Sequence, residues 1–507
     1  MDRIEARLTA AYPAARAPRR RAEELSACMV EPYVNQQVID WQTYGQTVID
    51  PAALMATLAM GVLLLVLPRR RAVLPFLLVA AFIPVAQRLV IVGLDFNMIR
   101  ILLLFAAARI VWRHEYKALR LGPIDRSFVI WFVVVSAVYV LRERNVGAIV
   151  YRGGVGFDAM GTYFFMRCLL RSKEEIEQLI AQVALVMVPL ALVMTIEHLT
   201  GHNLFAVFGG VPEMTIVREG KFRCQGAFSH PILAGTFGAV GLPLFGGGLL
   251  RSRFRSPLYL AGSLAALLVV VHSMSSGPLM AVAIAGVAWS VWPLRFQMRW
   301  VRRSLLIALL GLQMVMKKPV YHLIGRVSDL VGGGGYHRVA LIDGAVEHFT
   351  QWALIGTDST ASWGWGLQDV TNQYIAQGVD GGLLGLISFV TLIVLCYGWI
   401  GRTLRAVHRR TDLTRAERAG WQHVLWGIGA ALTAHCASFI SVTYFGQMDY
   451  FWLMFLGCVA SLWPIFVTYP KSLAARSTPA AGVSRSPHTR VPTAPAGAPP
   501  STVARWR

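Results

Sequence analysis

Acidic residues are scarce in this chain: 27 Asp and Glu stand against 48 Lys and Arg, and all charged residues together make up only 15% of 507 positions. With 55% hydrophobic residues and a mean hydropathy of +0.52, the composition excludes a soluble protein with one core, which has no use for so much apolar surface. Cysteine is sparse at six residues, with neither a CxxC pair nor a Cys/His spacing of the metal-ligand type, so no metal is expected. Cys168, Cys396, Cys436 and Cys458 fall in apolar runs, where a cysteine is a small core residue. Only Cys28 and Cys224 are placed so that a disulfide is conceivable. The first 50 residues hold no run of signal-peptide type. The chain also shows no internal repeat of the kind found in two-fold symmetric transporters.

What it has instead is a series of apolar runs of roughly 17 to 25 residues, the length that crosses a hydrocarbon core of about 30 Å as a helix. Spans are expected near 51–67, 72–92, 97–112, 127–141, 157–170, 177–199, 230–249, 257–272, 278–294, 303–316, 381–400, 421–440 and 450–468. The run 157–170 is short enough to be an interfacial or half-inserted helix instead. The fold class is therefore all-α, a polytopic transmembrane bundle of about 12–13 spans with one long, partly helical outer loop. Residues 1–50 form an N-terminal segment, partly disordered, and 51–475 the membrane domain. Residues 476–507, rich in Ala, Pro, Ser, Thr and Arg, form a disordered cytoplasmic tail.

The net charge of +21 invites a nucleic-acid partner, but the basic residues lie at alternate span ends, which is a topological pattern. Arg69 to Arg71; Arg113, Lys117 and Arg120; Arg171 and Lys173; Arg251, Arg253 and Arg255; Arg295, Arg299, Arg302 and Arg303; and the stretch 402–418 each follow an inward-going span. By the positive-inside rule these loops are cytoplasmic, and 201–229, 273–277, 317–380 and 441–449 face outward. The N-terminus is then outside despite Arg16 to Arg21, and the C-terminus inside.

Two outward segments concentrate chemistry. In VREGKFRCQGAFSHPILAG, Arg218, Lys221 and Arg223 sit where topology disfavours cations. They hold an anionic ligand such as pyrophosphate by charge-assisted hydrogen bonds, or they snorkel to lipid phosphates. His230, before Pro231 at a span start, is a candidate base that more simply fixes the turn or caps the helix. The second segment, 317–380, far exceeds an ordinary loop. Within it 336–350 reads as an amphipathic helix with Val339, Ile342, Val346 and Phe349 on one face and His337, Leu341, Gly344 and His348 on the other, Arg338 flanking them. Eleven residues of helix separate His337 from His348 by about 16 Å, so at most one is catalytic. The run Gly332 to Gly335 either brings backbone amides to phosphate or is a joint, and it lacks the GK[ST] of a P-loop. Trp352, Trp363 and Trp365 suit sugar stacking or interfacial anchoring. Arg88, Asp95 and Arg100, at the outer junction of the second and third spans, either line an anion cavity or pair with one another, and Glu197 and His198 are placed to complete the same mouth.

The chain resembles the bacterial O-antigen ligase and polysaccharide polymerase superfamily of membrane glycosyltransferases. The resemblance rests on helix number, on RCQGAFSHP before a span, on SMSSGP at 273–278, and on a long outer loop with Arg338 near its start and TNQYIAQGVDGGLLGL at its end. It implies metal-independent, inverting transfer of an undecaprenyl-pyrophosphate-linked oligosaccharide to a glycan or lipid acceptor, on the outer face of the bacterial cytoplasmic membrane and with no cofactor. By position, Arg223 and Arg338 match the family's phosphate-binding arginines, with Arg218, Arg100 and Arg88 as further candidates. The family base is a His immediately before the Asn of the terminal motif, and here Thr371 stands beside Asn372. A threonine cannot serve as that base, which leaves His337, Asp369 and His348, in that order, or a different branch of chemistry. A flippase for the same lipid-linked oligosaccharide and a non-catalytic part of an export assembly are the alternatives.

Overall fold

The computed structural model describes residues 46–251, 255–331 and 335–468, with 327–331 and 468 described in backbone alone. Along the chain run α1 (Pro51–Val66), α2 (Leu74–Phe82), the hairpin β1 (Arg88–Ile91) and β2 (Leu94–Asn97), then α3 (Met98–Trp112), α4 (Pro123–Glu143), α5 (Val146–Leu169) and α6 (Lys173–Thr200). A second hairpin, β3 (Ile216–Arg218) and β4 (Lys221–Arg223), precedes α7 (Pro231–Arg251), α8 (Ser256–His272), α9 (Ser276–Ser290) and α10 (Met298–Val315). The long loop contains α11 (His322–Val331), α12 (Gly335–Glu347) and α13 (Phe349–Trp352), and the chain returns through α14 (Gln373–His408), α15 (Arg415–Ser438) and α16 (Gln447–Trp463).

Helix starts follow local chemistry. Asp50 accepts from Ala53 N at 3.0 Å ahead of Pro51, and Asn145 accepts from Ala148 N at 2.7 Å. Ser172 N and Thr414 N donate to the third helical residue, Glu175 and Glu417. The helix from Asn145 makes the short run 157–170 part of a continuous 24-residue α5. Five helices, α4, α6, α7, α14 and α16 with its last turn, are long and apolar enough to cross a membrane, and α1, α8 and α9 are shorter apolar helices.

The expected helix over 72–92 is not formed. α2 ends at Phe82, since the residue before Pro84 disfavours helical backbone. Residues 83–87 bend and turn into the hairpin, with Gln87 N donating to Pro84 O at 3.1 Å and Ile83 and Pro84 buried. Nine helical residues rise only about 13 Å, so half of this traverse is irregular backbone, which an apolar bundle tolerates where protein encloses it.

The two ends of the bundle differ in kind. At one, Arg69 pairs with Glu175, Arg251 with Glu177 at 3.4 Å, and the fully buried Arg109 binds Glu115 at 3.1 Å while donating to Leu67 O at the end of α1. The sequence's basic loops thus meet at a single basic end. At the other end Val48 pairs with Arg88, Gln87 reaches Phe208 O, and the loops 201–229, 273–275, 336–371 and 439–446 converge.

The long loop folds on its own small core of Leu341, Ala345, Trp352, Trp363 and Leu367. Two of the three tryptophans are therefore interior, and only Trp365 is exposed. The buried face of α12 carries Arg338, Leu341, Gly344 and Ala345, because Gly344 leaves room for the Trp363 side chain. Val346 and Phe349 of the opposite apolar stripe are exposed.

The loop is latched where α14 kinks. Arg142 donates to Val379 O at 2.8 Å and pairs with Asp358, and Arg152 pairs with Asp380 at 3.1 Å. At the kink Gly382 has φ 62°, and a Cβ there would stand 2.5 Å from Leu354 O. Gly382→Ala is expected to destabilise the protein by about 2 kcal/mol or more, from left-handed strain plus collision with backbone. Gly401→Ala, in the same helix with open space around it, is expected to be neutral or mildly stabilising. Thermal unfolding of the two purified variants checks the contrast, and equal midpoints would contradict the role given to the kink.

Candidate functional site

At the end opposite the basic loops, a cavity of about 560 Å³ opens between β4, the start of α7, the first turn of α12 and the segments 369–371 and 441–445. Arg218, Arg223, His230, His337, Arg338 and Asp369 line it, with Thr371. Most of the residues singled out in the sequence are brought together here from segments more than a hundred positions apart.

Arg223 and Arg338 are both buried, at 6% and 7% exposure. Adjacent hydroxyls hold them: Arg223 Nη2 donates to Ser275 Oγ and Arg338 Nη2 to Ser276 Oγ, each at 2.9 Å. Ser275 Oγ in turn donates to Ser273 O at 2.9 Å, which aims its lone pairs at Arg223. This turn is strained, with Met274 at φ 42°, and tightly seated, since a Cβ on Gly277 would lie 2.5 Å from Ser441 Oγ. Sequence reading reached SMSSGP only through resemblance. A serine pair gives no signal of its own until the arginines are seen against it.

Glu197 fixes the segment that carries Arg223. Its buried carboxylate accepts from Gln225 N at 3.1 Å and Gly226 N at 2.9 Å. It is an anchor rather than part of the mouth, and His198 stacks on His272 at 4.7 Å. Cys224 is fully buried, and burial, with Glu197 nearby, pushes its thiol up to about 12. Cys28 and Arg253 lie outside the described residues, as do 1–45, 252–254, 332–334 and 469–507, and with them most of the N-terminal segment, most of the glycine run and the tail.

The two cavity histidines carry their protons on different atoms. His230 Nδ1 accepts from Ile232 N at 3.1 Å, so the neutral ring has its proton on Nε2 and is a donor. Burial, together with the charges of Arg223 and Arg218, lowers its pKa to about 4, so the ring is neutral at pH 7. His337 is the reverse case. Its Nε2 donates to Asp369 O at 3.3 Å, which leaves Nδ1 as an acceptor. Of the two, only His337 is arranged to take a proton.

The other candidates lie elsewhere. His348 Nδ1 bonds Gly344 O at 3.0 Å, and the ring stacks on Trp363. Arg88 meets Asp95 at 3.5 Å, as the pairing alternative has it, whereas Arg100 forks onto Asp158, a partner outside that trio, at 2.7 and 2.9 Å; neither arginine lines the cavity. Asn372 caps α14 by accepting from Tyr374 N at 3.0 Å and Ile375 N at 3.2 Å. Arg218, on the exposed hairpin, reaches the cavity rim.

No family model matches the chain, and no curated protein matches it.

Three arginines and a neutral imidazole donor suit an oxyanion. An anion beside Arg223 and Arg218 offsets the field that lowers the His230 pKa, so proton and anion binding favour each other. Inorganic pyrophosphate titrates near neutrality itself, so wild type is compared with His230→Asn by titration calorimetry, and the wild-type affinity relative to that variant is expected to be constant at neutrality and to rise as pH falls towards 4. In His230→Asn the amide oxygen still accepts from Ile232 N and the amide still donates to the cavity. Affinity at pH 7 should stay within about threefold. His230→Asp keeps the cap but removes the donor, and should weaken binding about 10- to 100-fold. Equal affinities for Asn and Asp would show that His230 serves the turn alone.

Proposed function

We propose that the chain is an integral membrane protein of about a dozen spans and that its cavity transfers or polymerises an undecaprenyl-pyrophosphate-linked oligosaccharide onto a glycan or lipid acceptor. The cavity end then faces away from the cytoplasm of a bacterial cell, and the basic loops lie inside. In support, five helices are long and apolar enough to cross a bilayer, and α1, α8 and α9 are shorter apolar helices.

The observation that carries the activity is the convergence of Arg218, Arg223 and Arg338 with an imidazole whose Nδ1 is free of a proton. In the reaction, the acceptor hydroxyl oxygen bonds to the anomeric carbon as the bond from that carbon to the pyrophosphate oxygen breaks. The hydroxyl proton passes to His337 Nδ1, and the bonding electron pair leaves on pyrophosphate. Arg223 and Arg338, oriented beforehand by Ser275 and Ser276, hold the growing negative charge without reorganising, the arrangement through which fixed dipoles and charges lower barriers most. Inversion at the anomeric carbon follows from attack opposite the leaving group.

Thr371 occupies the position where the superfamily carries its histidine, and the geometry offers a replacement. Thr371 N and His337 Nε2 both donate to Asp369 O, at 3.0 and 3.3 Å. An imidazole from α12 thus stands beside the terminal motif, which supports His337 as the base in this reading. Asp369, exposed at the rim, is the lesser candidate.

The test is turnover of undecaprenyl-pyrophosphate oligosaccharide by the full-length protein in lipid nanodiscs, across candidate acceptors. Arg223→Ala and Arg338→Ala should each lower kcat by about 10²- to 10³-fold. His337→Gln keeps the donor to Asp369 O but cannot take a proton, and should lower kcat by about 10²- to 10⁴-fold with little change in KM. No donor consumption by the wild type with any acceptor would overturn the enzyme, and movement of intact donor between leaflets would make it a transporter.

A further inference from the structure

The first turn of α12 separates two cavities. His337 and Arg338 look into the one already described, whereas Gly335, Tyr336 and Val339 line another, of about 290 Å³, with Met316, Lys318, His322 and Arg326. The two have no lining residue in common. The second lies between the exit of α10 and the crossing of α11 with α12, which is close because Gly325 meets Val339.

Three features define it chemically. It is cationic: Lys318 and Arg326 are exposed, and neither has a carboxylate partner among the described residues. His322 Nε2 lies 3.2 Å from Asp343 Oδ1, which also accepts from Tyr321 Oη at 2.7 Å, so this cluster ties α11 to α12 and fixes the imidazole. Its walls are partly apolar, from Met316, Val339 and the ring of Tyr336. And it stands at the foot of α10, which has no buried residue: Leu305, Leu306, Ile307, Leu309 and Leu310 are all exposed along a helix about 27 Å long.

A helix apolar and exposed on every side at its centre is solvated by acyl chains, and its last turn then lies at headgroup level. Lys317 and Lys318 follow directly, at the end of the bundle where cations are disfavoured. An apolar wall beneath a pair of cations at that depth fits a phosphate on a hydrocarbon stem.

We propose that this second cavity binds the phosphate group of a membrane lipid through Lys318 and Arg326, seating the α11–α12 hairpin on the bilayer surface. Seating the hairpin also sets the height of His337 and Arg338, which project from the same turn into the first cavity. This lipid site does not depend on the glycan-transfer chemistry proposed above, since it requires only that α10 lie in a bilayer.

The experiment uses the full chain in detergent micelles, with bound lipid counted by native mass spectrometry and stability followed by thermal unfolding. Dioleoyl phosphatidylglycerol and inorganic phosphate are added separately, so that lipid and free phosphate are distinguished. Lys318→Ala/Arg326→Ala alters exposed side chains and should fold. Arg299→Ala/Arg303→Ala removes two cations from the opposite end of α10 and controls for attraction to a strongly basic protein. The expected result is tight retention of phosphatidylglycerol by the wild type and the control, about 10- to 30-fold weaker retention by the Lys318/Arg326 variant, and no stabilisation by millimolar phosphate. Equal loss in both double variants, unchanged retention in the Lys318/Arg326 variant, or full stabilisation by inorganic phosphate would each overturn the site.

Discussion

Two neighbouring serines on one strained turn hold two buried arginines that arrive from different parts of the chain. Burying a guanidinium is costly unless its donors are satisfied, and a hydrogen bond to a charged group returns about 1.5 to 3 kcal/mol. Ser275 and Ser276 supply such bonds to Arg223 and Arg338, and much of the surrounding structure keeps the serines still. Ser273 fixes the Ser275 rotamer, and Cys224 N donates to His272 O at 3.0 Å, joining the strand that carries Arg223 to the turn that receives it. Glu197 then locks the next two residues of that strand's exit from below.

Charge is handled differently at the two ends of the bundle. At the basic end arginines meet carboxylates: Arg69 with Glu175, Arg109 with Glu115, Arg167 with Asp125 at 2.6 Å. These contacts tie one loop to another, and Arg109 also closes the end of α1 through Leu67 O. At the cavity end Arg100 with Asp158 and Arg152 with Asp380 do the same structural work. The two buried arginines of the cavity, Arg223 and Arg338, each donate to a hydroxyl, whereas Arg218 at the rim lies 3.8 Å from Glu219. A hydroxyl fixes direction while adding no negative charge, so the charges of Arg223 and Arg218 add to the burial that lowers the His230 pKa.

What the sequence made legible follows from the range of each signal. Arg218 and Arg223 stood out, with Lys221, because topology assigns few cations to their segment, and Arg338 through the resemblance alone; the structure brings the three arginines around one cavity. His230 before Pro231 read as a cap, and Ile232 N donates to it. Arg88 and Arg100 left two options open, since nothing local to Arg100 announces Asp158, 58 residues away. Hydropathy overran the end of α2, because the residues that leave the helix at Ile83 are as apolar as those within it. The tryptophans misled for a related reason: an indole is equally at home on a sugar, at an interface or in a core, and only the space left by Gly344 decides for the core.

The placement of His337 depends on a chain of constraints running through α12. Gly344 lets Trp363 seat against the helix, which buries Leu341 and Arg338 on that face and so turns the neighbouring position 337 towards the rim. There the Asp369 carbonyl accepts from Nε2 and leaves Nδ1 as the basic atom. One hydrogen bond at the far nitrogen sets the tautomer, a property a proton acceptor needs before any substrate arrives. Thr371 N donates to the same carbonyl, so its backbone shapes the wall that orients the histidine.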